Sequence, residues 1–296
     1  MMFRTLISTQ ELAARLDDPR LVIVDCRFEL KDVDAGQRLY QTSHIPGAVY
    51  AHLDRDLSGA KTGTNGRHPL PDPSRLAATL GALGIGNDSQ VVAYDLDSGS
   101  FASRLWWMVR WLGHDGVALL DGGFAKWFAE DRPLSSDHPH PAARHFTPHV
   151  RRDMLATAGD VAAHAGPGRP SSDHDARWLL LDARAPERYR GDVEPLDQAA
   201  GHIPGARNHF FQTNLDEHGT FRAPADLAAH FRSDLNGMPP EAVVVYCGSG
   251  VTACQNLLAL EHAGLPGAKL YAGSWSEWSA DPDRAVATGE EPPSSS

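Results

Sequence analysis

The sequence predicts an α/β protein of two tandem domains, each a mainly parallel sheet covered by helices on both faces. Three observations carry this prediction. The chain repeats itself: "LVIVDCR" ending at Arg27 returns as "WLLLDAR" ending at Arg184, and "SHIPGA" at Ser43 to Ala48 as "GHIPGA" at Gly201 to Ala206. "VVAYD" ending at Asp95 returns as "VVVYC" ending at Cys247, and "LDGGFAKW" ending at Trp127 as "YAGSWSEW" ending at Trp278. The matches keep their order at offsets of 151 to 158 residues, a domain duplication rather than a solenoid period. Within each copy, short continuous apolar runs alternate with stretches of helical period, the pattern of strands buried on both faces and covered by helices. Finally, 296 residues are about right for two domains that each bury a core of their own.

Along the chain, each copy opens with a helix start of the S/T-x-x-acid type, Ser8 to Glu11 and Thr157 to Asp160. The first copy then offers helices in "PSRLAATLGALG" and "ASRLWWMVRWLG", and the second in "PADLAAHF" and "TACQNLLALEHAG". Between the copies, Glu130 to Asp153 is rich in Pro, His and Ser and follows neither period. The expected division is a domain over 1–135, a linker over 136–156 and a second domain over 157–290, with a disordered tail "GEEPPSSS". His138, His140, His145 and His149, with His114 upstream, do not read as a metal site. Prolines between them deny a fixed ligand geometry, and no acid or cysteine is spaced to complete a set.

A net charge of -11 argues against nucleic acid or an anionic membrane as the main partner, since both require a basic footprint. No apolar run approaches the length of a membrane span, and the amino terminus lacks the apolar core and cleavage site of a signal peptide, so a cytoplasmic location is the default expectation. Three cysteines, Cys26, Cys247 and Cys254, match neither a disulfide framework nor a zinc site.

Cys247 is set apart by its surroundings. It ends a β-branched run and is followed by "GSGVT" and a helical pattern. At such a turn the backbone N–H groups can converge on sulfur and the helix presents its positive end, both of which favour a thiolate. Gly248 and Gly250 allow the loop to curl, while Ser249 and Thr252 supply hydroxyls for a substrate or for a helix cap. Cys26 and Cys254 read as core thiols. A phosphatase loop would need an arginine six residues after the cysteine, where this chain has Ala253, so a phosphate would lack its bidentate partner.

These residues together, "SHIPGA", "GHIPGA", "LDGG", "SWSEW" and above all "CGSGVTA", resemble the two-domain rhodanese family of sulfurtransferases over nearly the whole chain. The loop looks like that of the 3-mercaptopyruvate branch, because the thiosulfate branch carries two basic residues where this chain has Gly248 and Ser249. The resemblance implies a persulfide on Cys247, with the loop residues Gly248, Gly250, Val251 and Thr252 cradling the donor. It implies that the first copy, with Asp95 at the cysteine position, is non-catalytic and serves as scaffold and one wall of a cleft. It nominates His68 in "RHPLP" and its acidic partner Asp56, with Ser249, for proton transfer. It further assigns Arg188 in "ERYRG" to the substrate carboxylate. Where relatives place a second arginine this chain has Leu196, which leaves Arg190 as the alternative.

The implied reaction moves sulfur from a small anionic donor to a thiol or cyanide, with a reduced thioredoxin-like protein among the candidate acceptors and no cofactor. Thiosulfate as donor is the rival within the family, and a non-catalytic binding module the rival outside it. An inert module would have no need of Cys247 in such a loop.

Overall fold

The computed structural model describes residues 2–164 and 178–290, so the end of the expected disordered tail lies outside the described residues. The chain forms two compact units. Unit one comprises Met1–Gly59, Leu70–Arg152 and Leu215–Phe221; unit two comprises Ala60–Pro69, Asp153–Asn214 and Arg222–Ser296.

Unit one contains β1 (Leu6–Ile7), β2 (Leu21–Asp25), β3 (Val49–Tyr50), β4 (Gln90–Tyr94) and β5 (Val117–Leu120), in the sheet order β1-β5-β4-β2-β3. Unit two contains β6 (Leu155–Ala156), β7 (Leu179–Asp182), β8 (Arg207–Asn208), β9 (Val243–Tyr246) and β10 (Lys269–Tyr271), in the order β6-β10-β9-β7-β8. The permutation is the same, and every ladder between these strands is parallel. All residues of the central strands β4 and β9 are buried, which requires cover on both faces of each sheet and explains their unbroken apolar runs. The predicted helices form over Pro73–Ala82, Ala102–Trp111, Pro224–Leu235 and Ala253–His262. Each unit has its own apolar core, one around Ile23, Val92 and Trp127 and the other around Leu180, Val244 and Trp275.

The repeated motifs hold the fold together. In unit one, Arg27 Nη2 donates to Asp25 Oδ2 at 2.6 Å and to the Ser43 carbonyl at 2.7 Å. In unit two, Arg184 Nη2 makes the same bonds to Asp182 Oδ2 at 2.6 Å and the Gly201 carbonyl at 2.7 Å. His44 stacks on Tyr40 and His202 on Tyr189, with ring centroids 4.2 and 3.9 Å apart. These buried charges are paired and hydrogen-bonded, so the "D-x-R" and "HIPGA" repeats are structural knots that tie the second strand of each sheet to the following loop. Both S/T-x-x-acid starts form reciprocal caps: Glu11 N donates to Ser8 Oγ, and Asp160 N to Thr157 Oγ1.

The two central strands end in equivalent places. The Asp95 carbonyl accepts from Phe124 N at 2.9 Å, and the Cys247 carbonyl from Trp275 N at 2.9 Å. One residue on, Leu96 O accepts from Ala125 N and Gly248 O from Ser276 N. Asp95 and Cys247 therefore occupy the same position in the two copies, at the carboxyl end of a buried parallel strand where ligands gather in such folds.

Candidate active site

Cys247 follows β9 directly and lies just ahead of the helix Ala253–His262. Gly250 makes the curl possible: its φ is +72°, and a Cβ there would sit 2.3 Å from the Ala272 carbonyl oxygen. Only a residue without a side chain can bring the backbone that close in that conformation. Burial alone would raise the Cys247 thiol. The Thr252 hydroxyl and the N–H groups of Ser249, Ala253 and Val251 outweigh it and hold the thiol below its ordinary value. Thr252 stands at the N-cap of the helix without a capping hydrogen bond from its side chain, so of the two uses open to its hydroxyl it serves the sulfur.

The other thiols differ. Burial, with the carboxylates of Asp25, Asp95 and Asp56, pushes Cys26 well above the ordinary value. Cys254 is buried in the helix and donates to the Gly250 carbonyl at 3.4 Å.

Ser249 is buried, and its Oγ lies 2.7 Å from Nδ1 of His68, which is also buried. This contact is internal to unit two, because Ala60–Pro69 belongs to that unit. Asp56 belongs to unit one, where its carboxylate accepts from the backbone N–H of His52 at 2.7 Å.

Arg188 reaches the loop from the helix Pro186–Arg190. Its Nη2 donates to Glu194 Oε1 and Oε2 at 2.7 and 2.9 Å and to Asp197 Oδ2 at 3.4 Å. Glu194 also accepts from Arg184 Nη1 at 3.3 Å and from the backbone N–H groups of Leu196 and Asp197. Arg190 is placed differently: its guanidinium lies on Asp192 and Glu290 at the surface. The Leu196 side chain is exposed.

Sequence reasoning missed Arg67. A Cβ at Gly248 would lie 2.7 Å from Arg67 Nη2 and 3.5 and 3.6 Å from Arg188 Nη1 and Nη2, so two guanidinium groups converge beside the residue that follows Cys247. The one signal in the sequence was its place next to His68. No spacing rule connects position 67 to position 248.

Among the described residues no group of three or more His, Cys, Asp or Glu could hold a metal ion, and no helix is long and apolar enough to cross a membrane.

A buried thiol held toward its thiolate at the end of a parallel strand, a Ser–His pair beside it and guanidinium groups at the next residue fit an enzyme of nucleophilic cysteine chemistry. The chain belongs to the rhodanese family, matching the rhodanese-like domain over residues 8–130 and 170–281. It is 50% identical over 288 residues to a probable 3-mercaptopyruvate sulfurtransferase of Pseudomonas aeruginosa, covering 96% of this chain and 98% of that protein. It is 34% identical over 305 residues to a thiosulfate sulfurtransferase of Cricetulus griseus, covering 98% of this chain and 97% of that one. The crystal structure of SseA, a 3-mercaptopyruvate sulfotransferase of Escherichia coli, superposes with a TM-score of 0.77 at 31% identity, over 93% of this chain and all of that one.

Proposed function

We propose that the protein is a 3-mercaptopyruvate sulfurtransferase in which Cys247 carries the sulfur. The observation that supports this most directly is the lowered thiol of Cys247, cradled by three backbone N–H groups and the Thr252 hydroxyl. The Cys247 thiolate attacks the sulfur of 3-mercaptopyruvate. The S–S bond forms, the C–S bond breaks, and the electron pair leaves on carbon as the enolate of pyruvate. The proton on the transferred sulfur passes to that carbon, giving pyruvate and an anionic persulfide. Ser249, in contact with His68, is the relay assigned to this proton. The loop N–H groups hold the negative charge on sulfur in both states. A thiolate or cyanide then attacks the outer sulfur and regenerates the Cys247 thiolate; a reduced thioredoxin-like protein is a candidate acceptor.

Arg188 is assigned to the donor carboxylate. Asp95 offers no sulfur to carry, so the chemistry is assigned to unit two, which includes His68, and unit one is non-catalytic. Three cysteines outside any disulfide suit a reducing compartment, and we assign the protein to the cytoplasm on that basis.

Thiosulfate is the second reading, favoured by the two guanidinium groups beside Gly248, which suit a compact dianion as well. Side-by-side kinetics with both donors decide between them. The expected result is a higher kcat/KM for 3-mercaptopyruvate, and the reverse order would reassign the donor. Intact mass after donor treatment should rise by one sulfur in the wild type and in Cys254→Ser. An unchanged gain in Cys247→Ser would remove Cys247 from the reaction, and no gain in the wild type with either donor would favour a non-catalytic module.

A further inference from the structure

The loop beside the nucleophile is served by two guanidinium groups, and they differ in how they are held. Arg188 belongs to a helix and is neutralised mainly by Glu194. Arg67 comes from the segment Ala60–Pro69, whose backbone is pinned to the turn after β10. Arg67 N donates to Ser276 Oγ at 3.0 Å, and a Cβ at Gly66 would lie 2.8 Å from the Gly273 carbonyl. The backbone that carries the Arg67 side chain is thus fixed.

Asp197 spans the pair. It accepts from Arg67 Nη1 through Oδ1 and from Arg188 Nη2 through Oδ2, and its side chain is only 5% exposed. One carboxylate bridging two guanidinium forks is the geometry that a donor carboxylate would also use. Arg67 Nη2, the nitrogen not directed to Asp197, is the atom nearest the space beside Gly248, and Arg188 Nε is buried without a hydrogen-bond partner. Neither Leu196 nor Arg190 supplies a cation to this space, since one is an exposed apolar side chain and the other lies on surface carboxylates.

We propose that Arg67 is the second guanidinium of the donor-carboxylate clamp, acting with Arg188 and held in register by Asp197. This rests on the mercaptopyruvate reading above. It also accounts for glycine at position 248: a basic side chain there would be driven against two cations already in place.

The test compares 3-mercaptopyruvate with mercaptoacetone, which keeps the thiol and ketone and lacks the carboxylate. Arg67→Met should raise KM for 3-mercaptopyruvate roughly ten- to hundredfold, the worth of one charge-assisted bond, with a smaller change in kcat. Its loss on mercaptoacetone should be at least about tenfold smaller, because no carboxylate is there to be held. Arg67→Lys should recover part of the affinity, since it restores the charge without the fork. If Arg67→Met does not fold by circular dichroism, Arg67→Gln and Arg67→Lys carry the same comparison. Equal losses on both donors would make Arg67 a structural or proton-path residue and overturn the proposal. So would an unchanged KM for 3-mercaptopyruvate. A wild type that gains no sulfur from 3-mercaptopyruvate would sink the functional reading and this proposal together, whereas wild-type turnover with no Arg67 effect would sink this proposal alone.

Discussion

Ser249 Oγ and His68 Nδ1 meet at 2.7 Å although 181 residues separate them in sequence, and both side chains are buried within one compact unit. The hydroxyl stands two residues beyond Cys247, on the loop whose N–H groups surround its sulfur. On the proposed mercaptopyruvate reaction, the proton that passes from the transferred sulfur to the enolate carbon would be relayed by Ser249, in contact with the imidazole. Ser249→Ala should lower kcat with 3-mercaptopyruvate by about ten- to hundredfold, part of what positioned acid–base groups contribute. The rate of Cys247 alkylation by a neutral reagent should change far less. An unaltered kcat would take the pair out of the proton path.

The pH dependence of Cys247 follows from its cradle. Burial raises the thiol, but the Thr252 hydroxyl and three backbone N–H groups lower it by more. A depressed value in the folded state means that the thiolate stabilises the fold above the unfolded thiol's titration, at about pH 8.5, and that this contribution is lost as pH falls through the folded value. The alkylation rate should accordingly rise with pH and level off before a free cysteine would. Thr252→Val removes one of the lowering contacts and should move the whole profile to higher pH. A profile that stays in place, or shifts down, contradicts the assignment of the hydroxyl.

Gly250 is under two constraints at once, a φ of +72° and a carbonyl oxygen 2.3 Å from any Cβ. Gly250→Ala should cost about 1–3 kcal/mol of stability from backbone strain, and more if the Ala272 segment cannot yield. Because the same turn aims the N–H groups at sulfur, it should also shift the Cys247 alkylation profile upward. Chemical denaturation with an unchanged midpoint would show that the loop relaxes freely.

Asp95 fills the first copy's version of the cradle. Its carboxylate accepts from Gly99 N at 2.9 Å, Phe101 N at 2.7 Å and Ala102 N at 3.1 Å. Burial pushes its carboxyl up, and these three N–H groups offset only part of that. A raised value in the fold means that the native state gains from this group below the unfolded carboxylate range, near pH 3.9, and loses that gain as pH rises through the folded value. Asp95→Ala leaves three N–H donors, two of them buried, without their acceptor and should destabilise by about 1–3 kcal/mol, read as a lower denaturation midpoint. Specific activity of the folded variant should stay within about tenfold of wild type, the scale of a single lost weak contact. A larger loss in folded protein would bring unit one into the chemistry.

Much of the architecture was legible because its signals are local and periodic. Parallel strands covered on both faces need unbroken runs such as "VVVY", the helices between them repeat every 3.6 residues, and the caps at Ser8 and Thr157 lie within one turn. The Cys247 loop was legible for the same reason: Cys247, Gly248, Ser249, Gly250 and Thr252 are consecutive or nearly so, and the shape of the turn they form is a local property. Tertiary structure decided what surrounds that turn. It brought His68 to Ser249 and Arg67 to Gly248, set Asp197 between two guanidinium groups, and sent Arg190 to Asp192 and Glu290. It also chose sulfur over a helix cap for the Thr252 hydroxyl. A charged side chain on a loop has no periodicity to read. Where it points depends on which carboxylates and backbone groups distant segments deliver within hydrogen-bonding distance, and only the folded chain brings those segments together.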